Sequence, residues 1–208
     1  MYLYNKYLPP LVFIFSQLIL PAARANTHQP IYITPYWGYA FPDHINADGG
    51  IEISPEKSDL IGITIEGDYG KQDNFNGRIG FTTQHLKTNT DGFSSDDSFT
   101  FFHFQASSHY YITSKLTSFI GLSLGGTLVD ASWSKQDVLF SGGGFFGSDF
   151  FIDKNIRIRL EARWLASNVD GKTNTRCETD SGTQDCEINI DNDWLSFYQT
   201  NLGISFVF

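Results

Sequence analysis

Charge is scarce in this 208-residue chain, where Asp, Glu, Lys and Arg together make up 18%, against about 25% in ordinary soluble domains. Positive charge is scarcer still. Fourteen Lys and Arg stand against 23 Asp and Glu, a formal net charge of −9. That balance excludes the basic face a nucleic-acid binder needs. Long apolar runs are absent beyond the N-terminus, and the mean hydropathy is −0.21, so the chain is not a bundle of membrane helices. Cysteine occurs twice, and methionine only at position 1. What is plentiful is aromatic: 16% of the residues, with 19 Phe, 10 Tyr and 4 Trp. So many rings exclude a disordered chain. Few charges, many rings and modest hydropathy fit strands that set alternate residues into lipid.

Residues 1–25 carry Lys6, no acid, and the apolar run LVFIFSQLIL at 11–20, followed by Ala23-Arg24-Ala25. A basic start, a short apolar stretch and a small-x-small site form the pattern of a cleavable signal peptide. The run is too short to span a bilayer as a helix, which disfavours the competing reading of a membrane anchor. Residues 26–208 are then one domain, exported, and more acidic by two units once Lys6 and Arg24 are gone. In an oxidising compartment, Cys177 and Cys186 read as a disulfide closing a short loop. Two thiols alone would leave a tetrahedral zinc half-ligated.

The hydrophobic period is two, and it recurs eight times. Strands are expected at about 29–40, 59–70, 74–87, 98–112, 116–130, 138–152, 156–168 and 193–208. In the seventh, Ile156, Ile158, Leu160, Ala162 and Trp164 alternate with Arg157, Arg159, Glu161 and Arg163. In the second, Ile61, Ile63 and Ile65 alternate with Thr64, Glu66 and Asp68. The sixth is glycine-rich and its faces are ambiguous. A soluble lipocalin-like barrel would turn the apolar face inward and carry lysine outside. Here lysines 57, 71, 87, 115, 135, 154 and 172 fall at expected strand ends or in connections, and the strand interiors carry arginine and acids. Arginine suits buried, bidentate pairing. The apolar face therefore reads as lipid-facing and the polar face as lumen: an all-β, eight-stranded antiparallel up-and-down transmembrane barrel. Connections at 70–74, 113–115 and 153–155 are short, while 41–58, 88–97, 131–137 and 169–192 are longer. Short inner turns and longer outer loops are the bacterial outer-membrane pattern. Trp37, Trp133, Trp164 and Trp194 then lie toward the outer end, and Tyr69, Tyr110, Phe206 and Phe208 toward the periplasmic end, as two aromatic girdles.

The chain ends NLGISFVF. With its terminal Phe208, and with Asn201, Gly203 and Phe206 at the matching spacings, this segment resembles the last strand of bacterial outer-membrane β-barrel proteins. Size and strand count are similar to the small eight-stranded porin-like group, which includes the transmembrane domain of outer-membrane protein A and outer-membrane proteins X and W. Motif identity covers only the last eight residues. The resemblance implies that the barrel-assembly machinery reads this segment.

An eight-stranded barrel has room inside for side chains and little more. The expected fillers are Tyr36, Glu66, Asp68, Arg78, His103, Gln105, His109, Asp149, Arg157, Arg159, Glu161 and Arg163, with arginines facing carboxylates. Ser107, Ser108 and His109, with Glu66 or Glu161, can be assembled on paper into a hydrolytic triad, but no motif marks them as a unit. The segment 169–192 carries six acids against two bases, a solvated loop first and a divalent-cation or contact surface second. The expectation is a monomeric integral outer-membrane protein of a Gram-negative bacterium. It has a structural or surface-interaction role, no enzymatic activity, no cofactor, and lipid and lipopolysaccharide as neighbours. A narrow channel for small solutes and a lipid A-modifying enzyme are the alternatives.

Overall fold

The computed structural model describes residues 29–47, 51–72, 75–90, 96–131, 134, 137–179 and 182–208. The expected signal peptide and Trp133 lie outside these residues.

Among the described residues there are ten strands: β1 (Ile31–Pro42), β2 (Ile45–Ala47), β3 (Ile51–Ile53), β4 (Ser58–Gln72), β5 (Phe75–Asn89), β6 (Asp96–Thr113), β7 (Leu116–Asp130), β8 (Val138–Phe151), β9 (Ile156–Thr179) and β10 (Gly182–Val207). Eight of them close a barrel in the order β1-β10-β9-β8-β7-β6-β5-β4, every pairing antiparallel. Consecutive strands are neighbours because alternating segments joined by short turns fold back as hairpins. Closure removes the sheet edges. It is completed where β1 meets β10 (Tyr32 opposite Val207 through Pro42 opposite Phe197). Ile31 and Phe208 there exchange backbone hydrogen bonds of 3.1 and 3.0 Å. In the β4–β5 turn, Gly70 adopts φ +74°, a left-handed conformation that a side chain would strain.

Two expectations need correction. The segment 41–58 is not a plain connection but contains a small hairpin, β2–β3. The segment 169–192 is not a loop: β9 and β10 run on past the barrel as a paired ribbon, from Val169 opposite Asp193 to Thr179 opposite Gly182. Its Thr- and Asn-rich sequence lacks the alternation that marks strands, and the two halves template each other instead.

Alternation does set the faces. Ile61, Leu122, Leu124, Phe146 and Trp37 point outward, each more than half exposed to the surroundings. Their neighbours Thr64, Glu66, Ser123, Asp149 and Gly38 point inward and are buried. β8 resolves in the same way, with Leu139, Ser141, Phe145 and Asp149 inside and Phe140, Gly142, Gly144 and Phe146 outside. The short turns lie at the end where β1 begins and β10 finishes, the terminal end of the barrel. Outside, Trp37, Trp164 and Trp194 lie in the half away from that end, and Tyr69, Tyr110, Phe206 and Phe208 near it. So large an exposed apolar surface is unstable in water and matches the apolar band of a membrane barrel. Leu122→Arg, set in the middle of that band, is expected to cost about 2–4 kcal/mol in vesicles. Serine at the inward Gly125 position is not an equivalent control, because a Cβ there would stand 1.9 Å from the Phe102 carbonyl oxygen. Ser205→Ala is the suitable one, an inward position whose hydroxyl makes no hydrogen bond among the described residues. Urea midpoints of the two variants check the contrast.

Candidate functional site

The lumen divides into two halves of opposite character. In the half nearer the terminal end, the register sets Asp68 directly across from Arg78, and Asp149 across from Arg159. Arg78 donates from Nε to Asp68 Oδ1 (3.2 Å) and from Nη1 to Asp149 Oδ2 (3.4 Å). Arg159 donates to both oxygens of Asp149, at 2.8 and 3.1 Å, and from Nη1 to Glu66 Oε2 at 2.8 Å. Gln105 donates to Glu66 Oε1 (2.9 Å) and accepts from Arg163 Nη2 (3.0 Å). Arg163 donates from Nε to Glu161 Oε1 (2.7 Å), which also accepts from Asn201 (3.2 Å). The result is an unbroken chain of bonds from Asp68 to Asn201 that crosses the barrel and ties β4, β5, β6, β8, β9 and β10 together. Burial makes such pairing obligatory, because an unpaired charge in this space would be far more costly than a paired one.

Glu66, Asp68, Arg78, Arg159, Glu161 and Arg163 thus lie in one network. Arg157 does not face a carboxylate. Among the described residues it forms no ion pair, and its guanidinium lies over two rings instead, 4.8 Å from Tyr32 and 4.2 Å from Phe151. Tyr32 also receives the Arg78 guanidinium at 3.6 Å and donates its hydroxyl to Asp68 Oδ2 at 3.3 Å. Inward glycines make room for large fillers. A Cβ on Gly62 would come within 2.4 Å of the Tyr36 ring, and one on Gly121 within 2.3 Å of Phe145. Tyr36 reaches across to Thr82 and Gln84, both at 3.1 Å.

The two lumen histidines are held differently. His103 has both ring nitrogens engaged, Nδ1 with Ser123 Oγ (3.0 Å) and Nε2 with Ser141 Oγ (2.7 Å). His109 lies 3.0 Å by Nε2 from Ser107 Oγ and 3.9 Å by Nδ1 from Asp149 Oδ2. A Ser–His–Asp sequence is therefore present, with Asp149 rather than Glu66 or Glu161 beside the other ring nitrogen of His109, and Ser108 faces outward. Hydrolysis would also require space for a substrate at the serine. Ser107 is 7% exposed, its hydroxyl lies 3.5 Å from Glu66, and Phe119 stacks on His109 at 5.1 Å. A groove of the outer wall borders Ser107 and Ser108 from the lipid side, while the Ser107 hydroxyl turns inward onto His109 and Glu66. No group of three or more His, Cys, Asp and Glu among the described residues could hold a metal ion.

The outer half corrects the expectation of a polar lumen throughout. It is apolar: Leu60, Leu86, Phe99, Phe101, Leu139, Leu165, Leu195 and Phe197 point inward and pack together, all buried. Phe197 meets Phe99 and Phe101 edge-on, with centroids 5.0 and 5.3 Å apart, the favourable geometry for aromatic pairs. Ile53 of the β2–β3 hairpin inserts into the same cluster. The hairpin is tied down by the backbone bridge of Pro55 to Thr90 and by Thr88 Oγ1 donating to the Glu56 carbonyl. The only inward signal for this half is apolar residues at both parities, as in the run SFTFF at 98–102.

The C-terminal residues occupy mixed positions. Asn201 and Gly203 face the lumen, whereas Phe206 and Phe208 face outward. Asn155 Nδ2 donates to the Val207 carbonyl at 2.8 Å, tying the last turn to the chain end. In the ribbon, Cys177 stands opposite Gln184 and Cys186 opposite Thr175, which makes the two cysteines diagonal neighbours on one face. Their side chains lie outside the described residues.

A closed antiparallel barrel with an apolar exterior and a packed interior defines the class: an integral membrane β-barrel with the architecture of outer-membrane proteins, and that architecture places it in an outer membrane. No family model matches the sequence, and no curated protein matches it. Solved structures do. The outer membrane protein OprG from Pseudomonas aeruginosa aligns with a TM-score of 0.55 and 12% identity, over 86% of this chain and 96% of that one. Neisserial surface protein A aligns at 0.51 and 16%, over 86% and 97%. The outer membrane protease OmpT from Escherichia coli aligns at 0.45 and 7%, over 88% and 98%. At these identities the likeness is one of fold, and fold does not assign function.

Proposed function

We propose that the protein is a surface-anchoring outer-membrane barrel of a Gram-negative bacterium: residues 1–25 direct export, the barrel holds the chain in lipid, and the outer ribbon and loops are the working surface. Neither conduction nor enzymatic activity is part of this reading. The observation that carries it is the doubly closed lumen. An ion-paired chain crosses one half, and a packed apolar cluster with Ile53 as its cap fills the other. A barrel built to pass solutes would leave a continuous polar path, and a barrel built for hydrolysis would leave the Ser107 hydroxyl open to a substrate, whereas here it is buried against His109 and Glu66. The resemblance of the last strand supports handling by the barrel-assembly machinery, with Asn201, Gly203, Phe206 and Phe208 as the recognised positions. Cys177 and Cys186 are read as a disulfide that pins the ribbon. Its closure needs the diagonal, typically about 7–8 Å between Cα atoms, to shorten to within about 6.8 Å.

Planar-bilayer recording tests the closed lumen. The full-length barrel is expected to show no stable open level, and a reproducible unitary conductance would sink the anchoring assignment in favour of a channel. Lipid A mass spectra from cells with and without the protein should be identical, and a shifted acyl pattern would establish an enzyme.

A further inference from the structure

The barrel exterior is not uniformly convex. A groove of about 890 Å³ is cut into its lipid-facing wall, within the range of small-molecule sites. One row of cross-strand partners runs along it: Leu122 on β7, Gly144 on β8, Trp164 on β9, Tyr198 on β10 and Phe41 on β1. Five adjacent strands at about 4.8 Å spacing make the row roughly 19 Å long. Its floor is low because Gly144, and Ala162 in the next row, carry little or no side chain. Large rings line the groove, among them Trp164 and Tyr198, and the Trp164 indole donates to Ser196 Oγ at 3.4 Å. Phe41 is the next-to-last residue of β1, so the groove ends at the outer rim. There the Lys57 ammonium lies 5.7 Å from the centre of the Phe41 ring. Lys57 is exposed and has no carboxylate within ion-pairing distance among the described residues, Asp59 included.

We propose that this groove is a binding site for one acyl chain of an outer-leaflet lipid whose phosphate-bearing head is net anionic, with the lipid phosphate on Lys57. The inference rests on the membrane-barrel reading. An apolar trough that opens into the hydrocarbon, continuous with the barrel's lipid-facing surface, can be filled by a chain. A lone cation at its rim selects an anionic head. A second copy of the barrel would leave Lys57 without a partner, since the row it would cover contains no acid.

The test uses full-length protein in phosphatidylcholine vesicles with chain-labelled nitroxide lipids. The probes are spin-labelled phosphatidylglycerol and spin-labelled phosphatidylcholine. The wild type is expected to hold a motionally restricted component that prefers phosphatidylglycerol about fivefold, the ratio one basic residue at a membrane surface supplies. Lys57→Gln should keep the component and abolish the preference. Gly144→Phe should remove the component for both lipids. A Cβ at position 144 meets nothing closer than 3.6 Å, so the phenyl group can extend into the groove without strain. Equal affinity for the two lipids in the wild type, or a component unchanged by Gly144→Phe, would overturn the proposal. So would crosslinked dimers that disappear in Gly144→Phe, which would give the groove to a second copy. Heat-modified gel mobility is read in parallel. Loss of the mobility shift in all forms refutes the membrane barrel itself, whereas a retained shift with no restricted lipid refutes only the groove.

Discussion

Arg159→Met is expected to be the most damaging single change in the lumen, lowering stability by about 3–5 kcal/mol. Methionine matches the length of the arginine stem, so the cost is electrostatic rather than steric. Arg159 is the one residue that bonds both Asp149 and Glu66. Without it, Asp149 keeps the 3.4 Å contact with Arg78 and the 3.9 Å approach of the His109 ring, and Glu66 keeps the neutral donors Gln105 and Ser107. Two buried carboxylates would then share too little positive charge, and leaving a buried charge uncompensated is what makes a half-broken pair costly. The comparison that isolates this cause is Arg157→Met. That arginine touches rings and no carboxylate, so its loss should cost about 0.5–2 kcal/mol, the worth of its cation–π contacts. A rescue follows. Adding Glu66→Gln and Asp149→Asn to Arg159→Met removes the orphaned charges and should recover much of the loss. Urea unfolding in vesicles, followed by the mobility of the folded band, reads all of these. Equal midpoints for Arg159→Met and Arg157→Met would refute the pairing as the source of stability.

The asymmetry between these two arginines shows where sequence reading stops. All four lumen arginines sit at inward positions of strands whose outward positions are apolar, so alternation alone brings them inside. Which carboxylate each one meets depends on register across strands far apart in sequence, such as Glu66 and Arg159. Strand positions were legible because one face is lipid-soluble and the other is not. The eight expected strands fall within a few residues of the observed ones along the barrel. The ribbon was not legible, since the sequence beyond Val169 carries no sustained apolar/polar alternation and its strands are set by backbone pairing. The apolar plug was hidden for the opposite reason. Phe99 and Phe101 point in while Phe102 and Phe104 point out, and hydropathy cannot separate an apolar residue facing lipid from one facing another side chain. The Ser107–His109 contact was legible as a possibility from its two-residue spacing on a strand. That Phe119 and Phe145 fill the space around it was not.

Phe197→Ala is the corresponding test of the outer plug, with an expected loss of about 3–5 kcal/mol. Phe197 is fully buried and joins Phe99 and Phe101 through edge-on ring contacts. Truncation leaves a ring-sized void between walls that the barrel's hydrogen bonds prevent from collapsing, so both transfer and cavity terms apply. The stability loss should come without conductance, because the ion-paired chain from Asp68 to Asn201 still crosses the other half. Arg159→Met should be silent for the converse reason. Where the two plugs approach each other, Phe101 lies 6.1 Å from His103, and His103 is not a member of the ion-paired chain, so the energetic costs of the two changes should add to within about 0.5 kcal/mol. Conductance, by contrast, should be strongly non-additive, because two closures in series each suffice to block the tube. A barrel carrying Phe197→Ala together with Arg159→Met, refolded where the double loss is tolerated, is the form expected to show open events. Open events in Phe197→Ala alone would show that the charged half does not close the lumen, and would leave the apolar cluster as its sole gate.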